Sequence, residues 1–458
     1  MDPRFLTAKL SASILKTSLR LFGRGATAAP GLVAEYIDPN SLKKLSQYVS
    51  DIILVTGTNG KTTTARIIGS ILENSNKKFI HNREGSNLMR GLIGSLISKT
   101  PIFPSNEKPI ALLEVDEVTL PKVISQTSPS IIVINNLFRD QLDRYGEVET
   151  IRKIWVNTLR NLDESTIVIL NSDDPSVAHL GNGLRGRVIY FGIEDKKYSL
   201  EGLPHASDFT SCIECGSELK YDIVYMSHIG RYKCQKCGLR RPKPDIFAEK
   251  IDLRDETGFK ARISTPEGKF DIKTSIPGLY NVYNSLGAIS AALALNISLQ
   301  KIIQAFKGFE AAFGRTEVID VAGKKLFLAL AKNPTGFNEL IRTIFTGRKK
   351  RYAFIAVNDL IADGKDVSWL WDVDFELMKG KVEKVWVSGI RATDMNLRLK
   401  YADIKVEGYN SNITQALESA YTNIPQGETL FVFPTYTPML EIKKFLSEKG
   451  YGGKFWED

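Results

Sequence analysis

The sequence predicts an α/β protein: a mainly parallel, doubly wound sheet followed by a second, smaller α/β domain. Three observations carry that expectation. Short β-rich apolar runs alternate with helical patterns through most of the 458 residues. A glycine-rich turn, "TGTNGKTTT" (56–64), joins an apolar run to a helical one. The four cysteines fall into two close pairs inside a segment that interrupts the alternation.

Composition sets the frame. A hydrophobic content of 43% with 25% charged residues is that of a soluble chain able to bury an ordinary core, and the length suits two or three domains. The formal charge of +9 would suit nucleic acid, an anionic membrane surface or anionic metabolites. The basic residues are spread out, however. The longest run, "GRKKR" (347–351), precedes an apolar strand and reads as a solvated turn. No helicase-like motif or aromatic platform supports a nucleic-acid-binding ATPase, and no nucleic-acid partner is expected.

Residues 1–45 read as an amphipathic helical segment, with Leu6, Leu10, Ile14 and Leu21 near one face. Lys9, Lys16 and Arg20 interrupt any signal-peptide core, so a cytoplasmic chain is expected. Packing on the protein body is the expected role of the helix. Peripheral approach to the inner face of the plasma membrane is the alternative.

The elements then follow in order. "DIILV" (51–55) is a buried strand, "TTTARIIGSILENS" (62–75) a helix, and "KFIH", "IALLEV", "IIVINN", "TIVILN" and "RVIYFG" are further strands of a central domain spanning 46–315. The segment from Phe247 to Gly278 reads as antiparallel, and a long helix starts near Asn281. After a break at "FEAAFGRTEV", the strands "YAFIAV", "EKVWVSG", "IKVEG" and "TLFVFP" define a C-terminal domain, 316–458. "DGKDVSWLWD" (363–372) reads as a turn and an amphipathic helix, with Trp369 and Trp371 available to the core.

The interruption, about 205–245, carries Cys212, Cys215, Cys234 and Cys237 in a C-x2-C-x18-C-x2-C spacing. That spacing, with Gly216 and Gly238 after the second cysteine of each pair, predicts a structural Zn2+ ribbon. A site closed by four thiolates leaves no position for substrate, so no catalytic role is assigned to it.

The glycine-rich turn has the chemistry of a phosphate cradle. Gly57 and Gly60 let backbone N–H groups close on phosphate oxygens, with Thr58 and Asn59 between them. Lys61 reaches the terminal phosphates, and Thr62 or Thr63 offers a hydroxyl to Mg2+. The usual eight-residue pattern would need its first glycine at position 55, where this chain has Val55.

The shorter G-x-x-G-K-[ST] form resembles the Mur ligase family, to which folylpolyglutamate synthase is related. Other segments fall in the family's order: "IALLEVDE", "NNLFRDQLDRYGEVE", "LNSDDP", "GLYNVYNSLGAISAA" and "FGRTE". The resemblance implies a central ATP-binding domain and a Rossmann-like C-terminal domain. It puts Glu114 on Mg2+, Asn281 and Asn284 facing adenine, and Arg315 at the terminal phosphate of ATP. The chain departs from the amino-acid-adding members at Gln141 (in place of a metal-binding His, after Asp140) and at Ala329 (in place of a ribose-binding Asp); Lys332 takes the basic position nearby, and no carbamylated Lys can be assigned.

The four-cysteine insertion, "FIHNREGSN", "LAKNPTGFN" and "VNDLIADGKDVSWLWDVDFE" resemble instead the amidating branch, the MurT-type subunits of lipid II isoglutaminyl synthases. That resemblance implies an ATP-dependent ligase. It would convert the D-glutamate α-carboxylate of the lipid II stem peptide to an acyl phosphate, with Lys61 and Glu114 in the phosphoryl-transfer site. Ammonia would come from a GatD-like glutamine amidotransferase in a heterodimer. Asp366 is the aspartate expected to complete the partner's catalytic triad in trans, with Asp363 the alternative and Asp372 and Asp374 unassigned. An amino-acid-adding or folylpolyglutamate-type ligase is the competing reading. Asp143, like Asp140, falls near the phosphate end of the sheet, His81 reads as structural, and Glu84 and Asn87 as helix caps.

Overall fold

The computed structural model describes residues 2–21, 28–83, 86–103, 105–140, 148–205, 207–309, 317–347 and 349–452. Its first eleven strands are β1 (Ile52–Thr56), β2 (Phe79–His81), β3 (Ile110–Glu114), β4 (Ile131–Ile134), β5 (Ile167–Asn171), β6 (Val188–Ile193), β7 (Leu219–Met226), β8 (Ile229–Cys234), β9 (Ile246–Leu253), β10 (Phe259–Thr265) and β11 (Gly268–Thr274). Nine of them form one sheet in the order β11-β10-β9-β6-β5-β4-β1-β3-β2, with β7 and β8 apart as a separate hairpin. From β2 to β9 the pairing is parallel. The antiparallel segment anticipated from sequence, β9 to β11, extends this same sheet.

Parallel strands covered on both faces read as continuous apolar runs, and all five residues of β1 are buried. Their alternation sorts them between two layers. Ile53 and Val55 face Ile67, Ile68 and Ile71 of helix Lys61–Asn74 and Leu286 and Ile289 of helix Leu279–Ala294. Ile52 and Leu54 join Phe5, Leu92 and Trp155 on the opposite side.

The first helix, Pro3–Leu21, corrects the expected apolar face. Phe5, Ala8 and Ala12 are buried, whereas Leu10 is 41% and Ile14 66% exposed. Small residues let the helix lie close against its neighbours, and the larger aliphatics stay outside. Lys9 goes inward, donating to the Pro101 carbonyl at 2.5 Å with its ammonium 3.8 Å from the Tyr48 ring centroid. Among the described residues no helix is long and apolar enough to cross a membrane.

The second sheet has the order β12-β13-β17-β14-β15-β16, from β12 (Glu317–Val321), β13 (Lys324–Leu328), β14 (Arg351–Ala356), β15 (Val382–Ser388), β16 (Gly408–Asn410) and β17 (Thr429–Pro434). It is parallel except for the β12–β13 hairpin. Phe337 and Ile341 of helix Pro334–Ile344 cover one face, and Leu417 and Ile442 the other.

Three sequence expectations change here. The β12–β13 hairpin was not anticipated: its turn is Ala322-Gly323, with Ala322 at φ +53°, in place of the usual Asn-Gly signal. The edge strand starts at Gly408, not Ile404, because Ile404 and Val406 pack into the core from an irregular lead-in whose alternation mimics a strand. Residues Ser368–Asp372 form a 3-10 turn, not an amphipathic helix. Trp369 packs on Phe337, while Trp371 stays 51% exposed against Tyr401.

Candidate functional site

The carboxyl ends of β1, β3 and β4 meet at the glycine-rich turn, where open parallel sheets place their ligand sites. Gly60 must be glycine: it sits at φ +83°, and a Cβ there would lie 2.0 Å from Asn284 Oδ1. That close approach also brings helix Leu279–Ala294 to the loop. The chain after β4 fixes the rest. Asn59 N–H donates to Asn136 Oδ1 at 2.8 Å, Thr58 N–H to the Asn136 carbonyl at 3.1 Å, and Phe138 N–H to Thr58 Oγ1 at 2.9 Å.

Lys61 is buried with its ammonium 2.9 Å from Glu117 Oε2 and 2.5 Å from the Gly57 carbonyl. Burial works to discharge it. The carboxylates of Glu117, Glu114 and Asp116 outweigh that and hold its pKa above the ordinary lysine value. Thr62 donates its hydroxyl to Glu114 Oε2 at 2.7 Å. Asn82 grips the Glu114 backbone through two 2.9 Å bonds, one from its amide to the carbonyl and one from the Glu114 N–H to its oxygen. Thr63, the other threonine considered, lines the neighbouring cleft.

That cleft holds about 970 Å³, part of it open to solvent, between the two sheets. Asn59, Gly60, Asn281 and Asn284 line it from the central domain, and Lys332 and Asn333 from the C-terminal one. Asn284 donates to Asn281 Oδ1 at 2.9 Å, and Asn281 to the Pro277 carbonyl at 2.6 Å. Asn333 donates to Asn59 Oδ1 at 3.0 Å, while Lys332 pairs with the buried Asp140 at 2.5 Å. Ala329 is wholly buried and offers the cleft no polar group.

A smaller cavity adjoins it and shares Lys332 and Asn333 as a wall. Asp366 lines this cavity with Arg139 and Asp372, which pair at 2.7 Å. The Asp366 carboxylate is half-buried and accepts from the Ser368 N–H at 2.8 Å. Hydrogen bonds from Ser368, with the Arg139 charge, hold its pKa below the ordinary carboxylate range. Asp363 is buried and engaged by the Thr437 N–H at 2.7 Å, so it is tied into the domain.

The four cysteine sulfurs lie within 4.8 Å of one another. The Cys212–Cys237 and Cys215–Cys234 separations are 3.4 and 3.5 Å, too long for disulfides. Zn–S bonds of about 2.3 Å in a tetrahedron put the sulfurs roughly 3.8 Å apart, so the set fits Zn2+. Gly216 and Gly238, at φ +73° and +82°, return their N–H groups to Cys212 and Cys234. The Ser217 N–H brings the Cys215 thiol down to about 6.

Several groups at the site were missed in the sequence. Glu117 stands three residues beyond Glu114 in the same acidic stretch, Asn82 lies in "FIHN", and Asn136 ends "IIVINN". "LNSDDP" carries two buried anchors. Asp174 caps helix Pro175–Ala178, and Asp173 accepts from the Tyr283 hydroxyl at 2.7 Å and pairs with Arg241. His81 is buried and neutral: burial, then the charges of Arg83, Lys99 and Arg66, push its pKa down to about 3. Asn87 does not cap helix Met89–Lys99, whose cap position is Leu88. Glu84, Gln141, Asp143 and Arg315 lie outside the described residues.

The family model described as Mur ligase middle domain matches residues 55–292, and that described as MurT ligase C-terminal matches 330–439. The MurT subunit of the lipid II isoglutaminyl synthase (glutamine-hydrolyzing) of Staphylococcus aureus strain COL is 32% identical over 98% of this chain and 99% of its own. Its counterpart from Streptococcus pneumoniae R6 is 32% identical over 94% of each chain. Among solved structures, a pseudomurein peptide ligase type C from Methanothermus fervidus shares the fold at a TM-score of 0.72 and 21% identity, covering 90% of this chain and 81% of that one.

Proposed function

Because the chain belongs to the MurT-type members of the Mur ligase family, we propose that it is the ATP-dependent ligase subunit of a lipid II isoglutaminyl synthase. An isoglutaminyl product needs an amide on the α-carboxylate of the stem-peptide glutamate. A carboxylate resists ammonia, so activation comes first. One carboxylate oxygen attacks the γ-phosphorus of ATP, and the bond from that phosphorus to the bridging oxygen breaks to release ADP and leave an acyl phosphate. The ammonia lone pair then attacks the carbonyl carbon, phosphate leaves, and the nitrogen loses a proton.

The observation that carries this reading is the glycine-rich loop that gives Asn59, Gly60 and Thr63 to the interdomain cleft, with the buried Lys61 and with Thr62, the partner of Glu114, next to them in the chain. Phosphoryl transfer asks chiefly for positioning and neutralised charge. Residues Gly57 to Thr63 cradle the phosphates of ATP, Lys61 balances their charge, and Asn281 and Asn284 take the base side. Arg315 is assigned to the terminal phosphate by family resemblance. Glu114 and Thr62 would hold Mg2+, which when bound neutralises phosphate charge. Ammonia needs no amino-acid pocket, which suits Ala329. The four cysteines would hold a structural Zn2+ away from the chemistry.

A glutaminase subunit of the GatD type supplies the ammonia. Asp366 is assigned as the triad member given in trans, because it is accessible and lines the cavity adjoining the nucleotide cleft. Asp363, bound to Thr437, is less available. Exposed Leu360, Ile361 and Ile390 at the carboxyl edge of the second sheet suit a docked protein.

The test is amidation of lipid II by the reconstituted heterodimer, with glutamine or ammonium as nitrogen donor. Asp366→Asn should lose the glutamine-driven reaction and keep the ammonium-driven one. Loss of both would refute the triad role, and no ATP-dependent amidation by the wild type with either donor would refute the ligase assignment.

A further inference from the structure

The cysteine hairpin reaches into the nucleotide cleft. Its metal-binding end carries Cys212, Cys215, Cys234 and Cys237, and its other end is the turn from Met226 to Ile229. Met226, Ile229 and Ile276 line the cleft, as do Asn59, Gly60 and Thr63 of the glycine-rich loop. The cleft therefore offers both the polar groups of the loop and aliphatic and thioether side chains. A planar purine base gains from burying its faces against aliphatic and thioether side chains.

Several contacts hold this turn in a strained conformation. Ser227 adopts φ +44°, a left-handed conformation that costs a non-glycine residue about 1 kcal/mol. His228 is fully buried between Phe138 and Phe209, each ring centroid 5.1 Å away, with Nε2 3.6 Å from Asp174. The Gly230 N–H donates to the Asp173 carbonyl at 2.8 Å. Asp173 also takes Arg241, just beyond the last cysteine, and the hydroxyl of Tyr283, on the helix that carries Asn281 and Asn284. A continuous set of contacts thus runs from the sulfur cluster, through Asp173, to both walls of the cleft.

We propose that the Met226–Ile229 turn is the base-recognition wall of the nucleotide site, and that the four-cysteine cluster positions it. The inserted hairpin would then be part of the ATP site, not an appendage. The inference rests on the nucleotide reading above.

Isothermal titration of the full chain with Mg-ATP and with Mg-tripolyphosphate, which has no base, tests it. Met226→Ala and Ile229→Ala should each weaken ATP about five- to tenfold, the size expected for losing part of an apolar contact. Tripolyphosphate affinity should stay within about twofold, which also shows that the phosphate loop is folded. The double variant Cys215→Ser/Cys237→Ser should show the same selective loss. Unchanged ATP affinity in both alanine variants, or equal losses for the two ligands, overturns the base wall. Wild-type ATP affinity in the cysteine variant overturns its positioning by the cluster. A wild-type chain that binds neither ligand refutes the nucleotide site itself.

Discussion

Glu117→Gln tests how the buried lysine of the glycine-rich loop is kept charged. The Lys61–Glu117 separation is 2.9 Å, and both side chains are 6% exposed. At an effective dielectric of about 20, charges that close attract by roughly 6 kcal/mol, most of which offsets the cost of removing both from water. Removing one member of such a pair costs about 3–5 kcal/mol, since the other is left charged and buried. Glu114 and Asp116 also act on Lys61, which places the expectation at the low end, about 3 kcal/mol. In thermal unfolding of the central domain that is a fall of about 5 °C. Lys61→Met/Glu117→Gln, with no buried charge in the pair, should recover about 2 kcal/mol of the loss. If Glu117→Gln stays within about 0.5 kcal/mol of the wild type, or the two substitutions add, the ion pair is not what steadies the loop.

Three further outcomes are expected. His81 is neutral when folded, with a pKa near 3 against 6.5 unfolded, so the unfolded chain binds more protons between those values. Stability is therefore full above about pH 6.5 and falls below it, by about 1.4 kcal/mol from pH 7.5 to 5.5. Denaturant titrations of His81→Leu should lack that component, and an unchanged slope would refute the assignment. Purified chain should contain one zinc equivalent, lost in Cys215→Ser/Cys237→Ser; metal analysis finding none in the wild type would show that the thiols serve otherwise. The chain without its partner should not hydrolyse glutamine, since all four cysteines are committed to the cluster, and turnover by the pure subunit would refute this.

The glycine-rich loop and the strands around it were legible because buried parallel strands and glycine turns leave strong local signals. Val55 was no obstacle: the turn needs glycine only where the backbone is crowded, at Gly57 and Gly60. What escaped was contact between distant segments. Nothing local marks Glu117 as the partner of Lys61, or Asp173 as the junction of Arg241 with Tyr283. The N-terminal helix was misread because helical spacing of leucines and isoleucines says which residues share a face, not which face is covered. There the alanines set the approach distance. The hairpin of β12 and β13 was hidden by Ala322, a residue that seldom announces a turn.

The insertion also bears on how the chain finds its fold. β6 pairs directly with β9, although 52 residues separate Ile193 from Ile246. Bringing the ends of so long a flexible segment together costs on the order of 3–4 kcal/mol of chain entropy. A metal ion gathering Cys212 and Cys237 would shorten that search before the strands meet. β9 to β11 and the helix with Asn281 and Asn284 come later in the chain. An ion bound there would thus act as a timing element in biogenesis: refolding in chelator should stall with the first half of the sheet formed and its far edge unassembled.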